Sequence, residues 1–84
     1  MATVRATQDA LKELAQLPKV IRQRIRTILR RLESWPDVSG AKALSGNLAG
    51  RYRVRTGDYR VRFHVKGDTV IVDKIAHRKD AYED

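Results

Sequence analysis

Hydrophobic positions along the chain change their period near residue 50. Before it they recur every three or four residues: Ala10, Leu11, Leu14 and Leu17, then Val20, Ile21, Ile25, Ile28, Leu29 and Leu32. That spacing predicts two amphipathic helices. Thr7 or Asp9 offers a side-chain oxygen to cap the first. Pro18 interrupts it and, lacking an N–H that a first turn would leave unpaired anyway, starts the second. The second helix should end near Trp35, because Pro36 disfavours helical backbone at the residue before it and Asp37, Ser39 and Gly40 are loop-formers. A connection through Lys42, Leu44, Ser45, Gly46, Asn47 and Gly50 follows.

After residue 50 the period is two. Arg51-Tyr52-Arg53-Val54-Arg55 and Tyr59-Arg60-Val61-Arg62-Phe63-His64 alternate polar with apolar residues on either side of Thr56-Gly57-Asp58, and predict a β-hairpin turning at Gly57-Asp58. A third strand, residues 69–76, follows the Gly67-Asp68 turn. Its consecutive Val70, Ile71 and Val72 fit an interior strand with both faces partly covered. Residues 3–6, on the strength of Val4, are read as a short first strand. Helices followed by strands give an α+β fold: an N-terminal helical hairpin packed on one face of a small twisted, mainly antiparallel sheet, which the short N-terminal strand can join. Eighty-four residues suit one domain, 1–84.

The hairpin register makes the polar face unusual. Arg55 falls opposite Arg60, Arg53 opposite Arg62, and Arg51 opposite His64, while Tyr52, Val54, Tyr59, Val61 and Phe63 share the other face. Like charges opposed across a ladder destabilise by roughly 0.2–1 kcal/mol per pair. An ordinary solvated face of a basic protein is one reading. A binding face for an anionic ligand is the reading that accounts for the opposition.

Composition widens the point. Lysine and arginine number 18 against 10 acidic residues, a net charge of +8, which suits phosphate-rich or acidic partners. Two segments, 19–34 and 51–67, carry the field. The helical arginines Arg22, Arg24, Arg26, Arg30 and Arg31 are read as a solvated or partner-covered face, with tracking of a phosphate backbone as the alternative. Without cysteine there is neither a disulfide nor a thiolate metal site. Two histidines make a histidine-built metal site a poor expectation, and no cofactor motif is present. The first residues lack the apolar core of a signal peptide, and no run approaches the ~18 apolar residues of a membrane span. A soluble cytoplasmic protein is expected.

Guanidinium groups stabilise the negative charge of a phosphorane with forked, permanently charged donors. The ending His77-Arg78-Lys79 with Tyr82 lies where side chains could reach the edge of the arginine face. His77 could move protons near neutral pH, and Tyr82 could donate a proton or stack on a base. His64, on the basic face by parity, ranks below His77.

The order helix, Leu17-Pro18, helix, then Lys42-Ala43-Leu44-Ser45-Gly46, Gly50-Arg51-Tyr52-Arg53-Val54-Arg55-Thr56-Gly57-Asp58-Tyr59-Arg60-Val61 and Ile75-Ala76-His77-Arg78-Lys79-Asp80-Ala81-Tyr82 resembles the RelE/ParE superfamily of bacterial and archaeal toxins. The resemblance implies a toxin held inactive by a cognate antitoxin. RelE-like members cleave mRNA in the ribosomal A site without a metal or cofactor, whereas the ParE-like branch inhibits DNA gyrase. The ending with Tyr82 after His77-Arg78 looks more like RelE. Position by position, Arg53, Arg55, Arg60, Arg78 and Tyr82 match the family's functional residues, and Arg51, Arg62 and Lys79 are expected to bind RNA or antitoxin. Arg53 stands where a lysine often serves, and a guanidinium with a pKa above ~12 is a poor general base. Either charge stabilisation carries most of the rate or His77 supplies the base. The alternatives are a gyrase inhibitor and a non-catalytic RNA- or ribosome-binding module.

Overall fold

A computed structural model describes residues 1–80. Its elements run β1 (Thr3–Ala6), α1 (Gln8–Ala15), α2 (Lys19–Arg31), β2 (Lys42–Ala43), β3 (Arg51–Thr56), β4 (Tyr59–Lys66) and β5 (Thr69–His77), with a short 3-10 turn over Leu32–Ser34 closing α2. The sheet order is β1-β5-β4-β3-β2. Among the described strands, only β1 runs parallel to its neighbour, β5. The short first strand therefore joins the sheet and makes β5 an interior strand, as its consecutive Val70, Ile71 and Val72 require.

Local chemistry sets the helix ends. Thr7 caps α1, its Oγ1 accepting from the Ala10 N–H at 3.1 Å. Pro18 occupies the position just before α2. Both helices cover the apolar face of the sheet, where Ile25, Ile28, Leu32, Val54, Val61, Phe63, Val70, Val72 and Ile75 form the core with Ala10 and Leu14. Leu11 and Val20, expected in the apolar stripes, are exposed instead; they stand off the contact line that Ala10 and Leu14 make from α1 and Ile25 and Ile28 from α2. Trp35 fills the end of the core, its ring centroid 4.7 Å from Tyr52 and 5.2 Å from Phe63. Edge-on aromatic contacts of this kind add to area burial.

The hairpin closes at Gly57, with φ +58°, and the second turn at Gly67, with φ +63°. Neither following aspartate has positive φ, so glycine at the first turn position supplies the geometry that matches strand twist. The expected register is the observed one: Arg51 faces His64, Arg53 faces Arg62, and Arg55 faces Arg60. The connection expected between α2 and β3 contains the two-residue β2, paired with Tyr52 and Arg53.

One irregularity reorganises β5. Arg62 pairs with Lys74 and Phe63 with Val72, so Asp73 is an extra residue without a Cα partner on β4. Core positions then fall at Val70, Val72 and Ile75 rather than at every second residue. Beyond Ala6, where β1 ends, the free edge of β5 is closed by α1. Glu13 Oε1 accepts the Ile75 N–H at 2.7 Å, and its Oε2 lies 3.4 Å from Lys74 Nζ.

Candidate functional site

The face of the sheet away from the helices carries Arg51, Arg53 and Arg55 from β3 and Arg60, Arg62 and His64 from β4. It divides into two electrostatically different ends.

At the end away from the Gly57 turn the charges are compensated from within. Asp73 Oδ1 accepts from Arg62 Nε at 2.7 Å, and Oδ2 accepts from His64 Nδ1 at 3.0 Å and Arg51 Nε at 3.2 Å. The Asp73 side chain is only 12% exposed. Burial alone would raise its pKa. Hydrogen bonds from Arg62 and His64, the Arg62 charge and the Arg51 hydrogen bond outweigh that, and the carboxyl ionises below its usual range. The expectation that the opposed cations call for an external anion is thus corrected for this half: the bulge delivers their counter-ion. Sequence reasoning passed over Asp73. The signal was the spacing of Val70, Val72 and Ile75, two and then three, which marks an inserted residue.

At the turn end the compensation is different. Arg55 and Arg60 face one another, with the small Ala76 opposite Arg60 on β5. Among the described residues neither arginine is in an ion pair, and Arg60 Nη1 is buried without a hydrogen-bond partner. Arg53, 5% exposed, sits deepest. Burial first, then the charges of Arg55 and Arg60, push its guanidinium below the ordinary value. Arg55 and Arg60 beside this buried guanidinium concentrate positive charge at the turn end, which attracts anions.

Arg78 adjoins this end. Its N–H donates to the Asp58 carbonyl at 2.7 Å, and its Nε lies 3.8 Å from Asp58 Oδ1. The structure therefore brings Arg53, Arg55, Arg60 and Arg78 to one end of the sheet. His77 is not with them. The extra residue at Asp73 shifts the alternation of β5, so His77 pairs with Tyr59 on the helix-covered face; its ring stacks edge-on with Tyr59 at 5.2 Å and its Nδ1 accepts the Lys79 N–H at 3.1 Å. The expectation that His77 reaches the arginine face is corrected on that ground. Tyr82 lies outside the described residues. Among those described, no helix is long and apolar enough to cross a membrane.

Comparison with known proteins gives this architecture a place. Residues 4–82 match the family model of the ParE toxin of type II toxin-antitoxin system, parDE. Toxin RelE3 of Methanocaldococcus jannaschii is 33% identical over 76 residues, spanning 87% of this chain and 86% of that one. The toxin-antitoxin complex RelBE2 of Mycobacterium tuberculosis contains a chain that superposes with a TM-score of 0.80 at 30% identity, over 94% of this chain and 93% of that one. The isolated E. coli RelE toxin shares the fold, with a TM-score of 0.77 at 18% identity over 100% of this chain and 88% of that one. Helical hairpin, mixed five-stranded sheet and arginine face together define a RelE-like α+β toxin. The chain belongs to the RelE/ParE superfamily of toxins of type II toxin-antitoxin systems.

Proposed function

We propose that this toxin is a ribosome-dependent mRNA endonuclease that cleaves in the A site by attack of a ribose 2′-hydroxyl on the adjacent phosphate. The observation that supports it is the centre at the turn end of the sheet: Arg55 opposed to Arg60, an unsatisfied buried Arg60 Nη1, and Arg53 with its guanidinium pushed down by burial and then by the charges of Arg55 and Arg60. Opposing Arg55 to Arg60 costs the fold rather than stabilising it. A phosphorane, which carries more negative charge than the phosphate it comes from, gains most from donors already aimed at it. Arg60 and Arg78 take the role of charge stabilisers, with Arg53 and Arg55 supporting them, and Tyr82 orients a base or moves a proton. The ribosome supplies the attack geometry, so the toxin alone is expected to cut free RNA poorly.

A cognate antitoxin neutralises the toxin by covering its basic surface; the mycobacterial relative is itself part of a toxin-antitoxin complex. Arg51, Arg62 and Lys79 then contribute to RNA or antitoxin binding, and the toxin works in the cytoplasm. The matched family model, described for ParE, favours a second reading, inhibition of DNA gyrase. Primer extension on a translated message after induced expression separates the two. New 5′ ends at codon positions support cleavage; intact message with altered plasmid supercoiling supports gyrase inhibition. Ribosome binding without new ends leaves a non-catalytic module.

A further inference from the structure

Cleavage by a 2′-hydroxyl needs a group to take its proton, and the arginine face offers one imidazole. His64 stands on that face, between Arg51 across β3 and Ile71 across β5. Its Nδ1 lies 3.0 Å from Asp73 Oδ2. An ionised carboxylate can only accept, so Nδ1 carries the hydrogen and the neutral ring keeps its lone pair on Nε2, the nitrogen turned away from Asp73. The His64 side chain remains 33% exposed, leaving room for a ligand to approach it.

We propose that His64 is the general base of the cleavage and Asp73 its positioning residue, holding the ring in the Nδ1–H tautomer; this rests on the ribonuclease reading above. Alternate residues of a strand stand about 6.6 Å apart on one face. Arg62, already held by Asp73, separates His64 from Arg60, so a scissile phosphate lying between those two residues has the imidazole on one side and the Arg60 guanidinium on the other. Nε2 takes the 2′-hydroxyl proton as the 2′-oxygen bonds to phosphorus. The P–O5′ bond breaks with its electron pair going to the 5′-oxygen, which takes a proton from water. A 2′,3′-cyclic phosphate and a 5′-hydroxyl result, and the imidazolium, stabilised by Asp73, returns its proton to solvent.

Charged groups face the ring from every neighbouring strand: Arg51 on β3, Arg62 and Lys66 on β4, Asp73 on β5, and Arg5 on β1 in the same cross-strand row. The pH dependence must therefore be assigned by substitution. Single-turnover cleavage on programmed ribosomes, followed across the range in which imidazole titrates, is the test. His64→Gln should lower the rate by ~10²–10⁴-fold and remove the acid limb of the wild-type profile. Free imidazole should restore part of the rate to His64→Ala. In ¹⁵N–¹H spectra of the wild-type toxin the His64 ring should be the Nδ1–H tautomer, and Asp73→Asn should lose that preference. A His64→Gln toxin with the wild-type rate and profile, or an Nε2–H ring in the wild type, would overturn the assignment. A wild-type toxin that leaves ribosome-bound message intact removes the ribonuclease reading and this role with it; cleavage that survives unchanged in His64→Gln removes the role alone.

Discussion

Asp73 Oδ1 receives the Arg62 Nε–H at 2.7 Å, from the one residue in this stretch of β5 that has no partner on β4. A break in strand pairing is what turns a carboxylate toward Arg62 and His64 on the adjacent β4 and Arg51 one strand further on β3. The contact has a pH signature. Asp73 ionises below its ordinary range in the folded chain, so its contribution to stability is complete above the unfolded carboxylate pKa of ~3.9 and disappears as pH falls through the folded value. Asp73→Asn should lower stability by roughly 1–3 kcal/mol at neutral pH. Urea denaturation of both proteins should show that gap closing only in acid; a gap independent of pH would remove the ionic explanation.

Phe63 tests the core beneath the arginines. It is fully buried, stacks on Tyr52 with centroids 5.5 Å apart, and meets the edge of Trp35. Phe63→Ala should cost about 3–5 kcal/mol, most of the stability available to a domain of this size. Phe63→Leu should retain a cooperative transition at lower urea. Far-UV circular dichroism against denaturant checks both.

The two glycine turns separate structure from function. Gly57 and Gly67 both have φ near +60°, where an added Cβ is strained. A Cβ at Gly57 would meet only Arg24 Nη1, at 3.6 Å, and one at Gly67 nothing within 4 Å. Backbone strain therefore dominates both substitutions, and Gly57→Ala and Gly67→Ala should each cost about 1–2 kcal/mol. The Gly57 turn alone carries Arg55, Arg60 and the Asp58 carbonyl that holds Arg78. Gly57→Ala should reduce toxicity beyond its effect on stability, and Gly67→Ala should not; growth curves beside thermal melts measure the difference.

The hairpin register was legible because strict alternation and a Gly-Asp turn leave one way to bury Tyr52, Val54, Val61 and Phe63. The helices were legible from their apolar spacing, although Leu11 and Val20 show that the stripe is narrower than hydrophobicity alone suggests. β5 was legible as an interior strand but not in its faces. An unbroken alternation from Val70 puts His77 on the arginine face; the extra residue at Asp73 moves it to the helix side, beside Tyr59. Parity arguments fail downstream of a bulge, so neither the side on which His77 emerges nor the place of Asp73 among the arginines follows from alternation.

Arg60 separates activity from stability most sharply. It faces Arg55 directly, and its Nη1 has no hydrogen-bond partner among the described residues. Removing a charge from a like-charged pair should leave the fold as stable or more so, by up to about 1 kcal/mol. Removing a preorganised donor to a developing oxyanion should slow catalysis by ~10²–10³-fold. Arg60→Ala should therefore melt no lower than wild type and fail to arrest growth. Arg60→Lys keeps the charge but loses the forked donor geometry, so it should recover only part of the cleavage rate. A stable Arg60→Ala protein that still arrests growth and still yields new 5′ ends would remove Arg60 from the site, whereas a variant that loses both activity and cooperative unfolding would show that the opposed pair serves the fold after all.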